Sequence, residues 1–334
     1  MDRIRMGVVG LRFGRQLVRT LANMEEAQIV ALADRSFDLP MGLAAYADHY
    51  AARSYLDGVE MMGREELDAV VICTPPSTRE ELIRCAIDHG LAMFVEKPWA
   101  TNVAHANELA ALSRTSRAPV MTAFSFRYHP AIVRLRELMS GSLGPGWLLN
   151  GSYIFSWQPD ADNWLWDPDN GGGYFNENSC HLFDGVCSLL GKPVSIMAAA
   201  STHLDAPSEN CASVTMQFAQ GGSAALTIGG VGARAQHSFP RMEIVTAGGQ
   251  AILYGHDHVW TELEWTTRSA NSVQREYLPP EGLGNTRYTD AFSHFIKCVR
   301  SGNEPDSGVD SGVMSVAIAM AVYESARTGR RVDL

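Results

Sequence analysis

The chain has 334 residues, 46% apolar and 19% charged, which is enough for two domains with sizeable cores and too apolar for disorder. Its net charge of −10 argues against a nucleic-acid surface, and no run of about 18 apolar residues offers a membrane span. Six cysteines with no C-x-x-C pair fit reduced thiols in a cytoplasmic protein.

Ile4 to Val9 reads as a short buried strand, so no signal peptide is expected ahead of it. Gly10-Leu-Arg-Phe-Gly14 follows, then a helical run to about Asn23 and an apolar strand, Ala27 to Ala33, ending at Asp34. Strand, glycine turn, helix, strand and acid in that order make a dinucleotide-binding unit. Glycine lets backbone N–H groups approach a pyrophosphate at the helix start, and the acid accepts from ribose hydroxyls. The glycine spacing is imperfect: Arg12 and Arg15 stand where a strict G-x-G-x-x-G has glycine.

Asp68 to Cys73 is the next buried strand, running into Thr74-Pro-Pro-Ser-Thr78, where Ser77 or Thr78 is placed to cap a helix ending near His89. Leu91 to Val95 is a strand delivering Glu96-Lys97-Pro98, Asn102 to Arg114 a helix, and Pro119 to Thr122 a closing strand. The alternation predicts a parallel sheet with right-handed crossovers. A lysine leaving such a strand at its carboxyl end points to where open α/β sheets bind ligands.

Beyond Ala123 the texture changes. Pro130 to Met139 reads as a helix, Trp147 to Trp157 as a half-exposed strand, 158 to 172 as a loop rich in Asp, Asn and Trp, and Glu177 to Leu190 as a helix. From Pro193 to Leu278 about six strand-like runs are broken by glycine turns, predicting a mainly antiparallel sheet. Tyr288 to Arg300 and Val309 to Thr328 read as helices, the latter with a small-residue face suited to packing on the first domain. The expected fold is thus α/β: an N-terminal Rossmann domain (1–123) with a doubly wound parallel sheet, and a C-terminal α/β domain (124–334) with a large open, mainly antiparallel sheet.

In this order and spacing, several segments resemble the Gfo/Idh/MocA oxidoreductases. They are Val8-Val-Gly-Leu-Arg-Phe-Gly14, Ala33-Asp34, Val71-Ile-Cys-Thr-Pro-Pro76, Glu96-Lys-Pro98, Phe126-Arg-Tyr128, Gly171-Gly-Gly-Tyr-Phe-Asn-Glu-Asn-Ser-Cys-His181 and Tyr323-Glu-Ser-Ala-Arg-Thr-Gly-Arg-Arg-Val332. The resemblance implies NAD(P)-dependent oxidation or reduction of a sugar, polyol or inositol. It also implies an open sheet that serves assembly into a homodimer or homotetramer. Two positions depart from it: Arg12 replaces the second glycine, and Glu177 replaces an aspartate.

Oxidising a secondary alcohol needs a hydride acceptor over the carbinol, a base for the hydroxyl proton, and positive charge for the alkoxide. Lys97 supplies the charge, with Glu96 and Pro98 fixing its backbone. His181 is the proton acceptor, since its ordinary pKa lies near the working pH. Four residues earlier on the predicted helix, Glu177 either orients the imidazole or holds a substrate hydroxyl. Asp184 reads as a support for His181 or as a solvated helix residue, and Arg127 either as a residue near the crevice or as a structural ion-pair partner.

The nucleotide is expected on Gly10, Arg12, Phe13, Gly14, Asp34, Arg35, Thr74, Pro75, Pro76, Glu96 and Lys97. The substrate is expected on Lys97, Trp99, Tyr128, Trp157, Trp164, Glu177 and His181. Trp157, Trp164 and Trp166 offer faces for sugar C–H groups, or plug the sheet. Trp99 either roofs the nicotinamide or packs at a helix start. Asp34 favours NAD, while Arg35 and Arg12 would attract the 2′-phosphate of NADP; NAD is preferred. A metal is not expected, because nothing links the ligand-like pairs Glu177/His181 and His256/His258. Two competing functions use the same scaffold: nicotinamide-assisted glycoside cleavage, told apart by product without net NADH, and an inactive nucleotide sensor.

Overall fold

The computed structural model describes residues 2–233, 241–256, 259–278 and 283–334, with the side chains of 256 and 283–285 left out. The chain folds into two compact units, Met1–Phe124 with Tyr288–Val313, and Ser125–Arg287 with Met314–Leu334.

In the first unit the order is β1 (Ile4–Val9), α1 (Leu11–Ala22), β2 (Ala27–Ala33), α2 (Gly42–His49), β3 (Arg53–Tyr55), α3 (Gly58–Arg64), β4 (Ala69–Ile72), α4 (Arg79–Asp88), β5 (Ala92–Val95), α5 (Val103–Ser113) and β6 (Val120–Thr122). The six strands pair in parallel in the order β3-β2-β1-β4-β5-β6. This is the doubly wound Rossmann order, as expected from the sequence. Every residue of β4 and β5 is buried, which a parallel sheet achieves only when helices cover both faces. Phe94 of β5 stacks on Phe292 (ring centroids 4.4 Å apart) and meets Phe295 edge-on (5.6 Å), both from the 288–313 segment.

The second unit opens with a 3-10 turn at Ser125–Tyr128, α6 (Pro130–Ser140) and β7 (Gly146–Ile154), and a second 3-10 turn lies at Trp164–Trp166. A π-helical turn, Phe175–Ser179, leads into α7 (Cys180–Leu190). Then come β8 (Pro193–Ser201), β9 (Cys211–Phe218), β10 (Ser223–Gly229), β11 (Arg241–Thr246), β12 (Gly249–His256), β13 (Val259–Thr267) and β14 (Gln274–Tyr277). Helices α8 (Leu283–Ser301) and α9 (Val309–Thr328) and strand β15 (Val332–Asp333) complete the chain.

The nine-stranded sheet has the order β14-β13-β12-β11-β7-β10-β9-β8-β15 and is antiparallel except between β7 and β10. Its strands alternate: Ala212, Val214, Met216 and Phe218 of β9 face the core, while Ser213, Thr215 and Gln217 face out. One face is therefore packed and one open, the pattern an antiparallel sheet tolerates.

Candidate active site

The nucleotide end of the first unit is built at the carboxyl ends of β1, β2 and β4. Gly10 has φ +85°, and a Cβ on it would lie 2.8 Å from the Cys73 carbonyl carbon and 2.9 Å from Thr74 N. Only glycine lets these two backbones approach so closely. Gly14 is less constrained, since a Cβ there would meet Val8 and Cys73 at ordinary contact distance, 3.5 Å. The first turn of α1 carries no acidic side chain of its own, and beyond Leu11, whose N–H donates to Asp34, its N-terminal N–H groups suit a pyrophosphate. The turn thus fits the group the motif implies.

Asp34, at the end of β2, accepts from Leu11 N–H (2.5 Å) and Ser36 N–H (2.7 Å), tying that strand to the start of α1. Arg12 and Phe13 are exposed in the first turn, Phe13 edge-on to Tyr288 (6.2 Å). Arg35 is paired with Asp57, which accepts from Val59 and Glu60 N–H as the N-cap of α3. Its guanidinium is therefore held at α3 by a carboxylate. At Thr74–Thr78 the expected cap differs: the Thr78 hydroxyl donates back to Pro75 O (2.9 Å) instead of accepting from α4.

Lys97 leaves β5 half-buried, and its N–H donates to Oε2 of buried Glu96 (3.0 Å). The Lys97–Pro98 peptide is cis. Trp99 corrects the substrate assignment. It is fully buried, and its indole N–H donates to Ala106 O (3.2 Å), so it packs against α5 as a helix-start residue.

Sequence reasoning missed Arg79. Its side chain is buried at the start of α4, donating from Nε (3.0 Å) and Nη2 (2.7 Å) to Thr74 O and from Nη1 to Pro98 O. Burial lowers its pKa to about 10, with neighbouring Glu96 pulling the other way. The available signal was a cation in a helix's first turn, where the dipole disfavours it.

In the second unit, Phe126 stacks on His181 (5.1 Å, 26° between planes) and is itself fully buried against Tyr153 and Trp260. His181 sits half-buried in the first turn of α7. The helix expected from Glu177 to Leu190 differs only in its first turn, where residues 175–179 are π-helical, with hydrogen bonds running i→i+5, and lead straight into α7. Glu177 is half-buried within that turn.

Arg127 and Asp184 form a buried bidentate pair (2.7 and 2.6 Å). This settles Arg127 as an ion-pair partner and removes Asp184 from solvent. Burial pushes the Asp184 carboxyl up, against the pull of Arg127; on Arg127 burial is outweighed by Asp184, and the guanidinium is held further up.

Trp166 stacks on Tyr174 (6.0 Å, 25°) and donates from Nε1 to Asp160 O (3.1 Å), so it plugs the loop. Trp157 also leans on Tyr174 (5.6 Å) but remains 36% exposed, and Trp164 is half-buried. Tyr128, placed with the substrate from sequence, is 6% exposed. Among the described residues no group of three or more His, Cys, Asp or Glu is arranged to hold a metal ion. His258 and the side chain of His256 lie outside the described residues.

Residues 4–124 match the model of an oxidoreductase family with an NAD-binding Rossmann fold, GFO_IDH_MocA, and residues 132–252 match the GFO/IDH/MocA C-terminal domain. The chain is 26% identical to D-apiose dehydrogenase of Paraburkholderia graminis over 96% of its own length and 87% of that protein's. It is also 26% identical to inositol 2-dehydrogenase of Rhizobium meliloti, covering 99% of each. Levoglucosan dehydrogenase, solved in complex with NADH and levoglucosan, superposes with a TM-score of 0.87 at 19% identity, covering 99% of each chain. At that identity the likeness is one of fold.

Proposed function

This chain belongs to the GFO/IDH/MocA family of NAD-binding oxidoreductases, and from that premise we propose that it oxidises a secondary hydroxyl of a sugar, glycoside or inositol, with Lys97 and His181 as its catalytic residues. NAD, held by the Gly10 turn and Asp34, would supply the hydride acceptor. Lys97 stabilises the alkoxide with its ammonium, His181 takes the hydroxyl proton, and Glu177 holds a neighbouring hydroxyl or the imidazole. The observation that carries the reading is Lys97 itself, delivered by β5 at the same sheet edge as Gly10 and Asp34, with its N–H anchored on buried Glu96. Phe126, stacked on His181, restricts the imidazole to one plane.

NAD is favoured over NADP because the residue that follows β2, Asp34, is an acid and Arg35 is engaged by Asp57. The protein works in the cytoplasm. Copies assemble through the open face of the nine-stranded sheet, where Leu148 and Met197 are exposed beside a groove of about 640 Å³.

The test is absorbance at 340 nm with each nicotinamide, across a panel including myo-inositol, D-xylose, D-apiose and levoglucosan. Lys97→Ala and His181→Ala are each expected to lower turnover by roughly 10²–10⁴-fold with NAD affinity nearly unchanged. Full turnover in either variant would refute its role. Cleaved glycoside without net NADH would favour transient oxidation instead.

A further inference from the structure

The first unit buries a guanidinium that the proposed chemistry does not use. Arg79 is 2% exposed, and removing its charge from water is expensive unless hydrogen bonds and an opposite charge compensate. Three donated hydrogen bonds and the nearby Glu96 carboxylate, 5% exposed, do so here.

Where those bonds end is informative. Nε and Nη2 converge on Thr74 O, which begins the loop after β4, and Nη1 reaches Pro98 O, one residue beyond Lys97. Glu96 Oε2 meanwhile accepts the Lys97 N–H. The backbone is thus gripped just before and just after the lysine side chain, by two buried groups of opposite charge. A planar fork reaches two carbonyls in different directions, whereas an ammonium on a flexible stem does not fix both.

We infer that Arg79 is a positioning residue: its guanidinium clamps the Thr74–Pro76 loop to the Glu96–Pro98 turn and so sets the direction in which the Lys97 ammonium is presented. The inference rests on the catalytic reading of Lys97 for its consequence, but its geometry can be tested separately.

The chain has three lysines, Lys97, Lys192 and Lys297. Reductive ¹³C-methylation therefore gives a sparse NMR spectrum, in which Lys97→Arg identifies the Lys97 signal. In Arg79→Lys and Arg79→Met the Lys97 resonance is expected to move while those of Lys192 and Lys297 stay in place. With the best substrate of the panel, kcat is expected to fall about 10-fold in Arg79→Lys and about 30-fold in Arg79→Met, with KM within about threefold.

On a Lys97→Ala background, Arg79→Met should cause no further loss, because its effect passes through the missing ammonium. If Arg79→Met does not fold by circular dichroism, Arg79→Lys carries both measurements. An unmoved Lys97 resonance, or losses that multiply in the double variant, would overturn the inference. A silent Lys97→Ala would overturn the catalytic reading instead, and the resonance would still decide whether Arg79 orients the lysine.

Discussion

Asp184 keeps its carboxylate out of water only because Arg127 grips both of its oxygens. Neutralising one partner leaves the other charge buried and uncompensated. Asp184→Asn is therefore expected to destabilise the protein by about 3–5 kcal/mol, read as a lowered urea midpoint with unchanged slope. A loss of stability under about 1 kcal/mol would mean that water reaches Arg127 in the variant. The sequence left Arg127 open between the crevice and a structural ion pair, and only the contact with Asp184 decides it. Asp184 was ambiguous, since one acidic residue on a helix reads the same whether it faces water or an arginine 57 positions away. Arg79 and Trp99 were misjudged or missed for a related reason. Whether a polar atom is satisfied depends on carbonyls such as Pro98 O and Ala106 O, which carry no sequence signal.

At the scale of single elements, α6 begins on a buried histidine. The ring nitrogens of His129 face the N–H groups of Ala131 and Trp260, 3.2 Å from each. Burial, reinforced by Arg287, lowers its pKa to about 3. The neutral ring accepts at one nitrogen only, and protonation would set an N–H against that remaining backbone donor as well. The folded pKa is thus depressed below the unfolded value of about 6.5, so the stabilisation is complete above that pH and is lost as pH falls through the window toward about 3. Stability should decline by a few kcal/mol between about pH 6.5 and pH 3, and His129→Gln should flatten the profile. Equal slopes in parent and variant would assign the acid sensitivity elsewhere. The π-helical turn before α7 shows why a helix can be legible while its winding is not. Leu182, Phe183, Val186, Leu189 and Leu190 are buried at helical spacing, which the sequence displays. The wider turn is held at its start by Tyr323, whose hydroxyl accepts from Phe175 N–H (3.1 Å), and by Gly173, where a Cβ would lie 2.3 Å from that hydroxyl. Such a contact across 148 residues leaves no local period to read.

For the molecule as a whole, strand–helix alternation made the parallel sheet legible, and period-two runs broken by glycine made the open sheet legible. That C-terminal helices would pack on the first domain was expected, but the segment that joins the first unit is 288–313, with 314–334 in the second; this division was not legible, because an amphipathic helix does not declare which apolar surface it covers. That segment supplies Phe292 and Phe295 against Phe94, and Ser307, whose carbonyl accepts from Thr122 N–H (2.7 Å) and whose hydroxyl donates to Thr122 O (2.8 Å). It thereby covers β5 and closes the free edge of β6, the last strand of the sheet. Both rings are fully buried, so Phe292→Ala in the full chain is expected to cost about 3–5 kcal/mol. A fragment ending at residue 124 exposes Phe94 and the β6 edge together, and should be unfolded or aggregated without measurable NAD affinity. Joining 288–313 to that fragment through a Gly/Ser linker should restore a cooperative unfolding transition. Saturating NAD at about 100 times its Kd should then raise stability by about 2.7 kcal/mol. Native NAD affinity in the 1–124 fragment, measured by calorimetry, would show that the six strands and their own helices hold the nucleotide edge in place unaided.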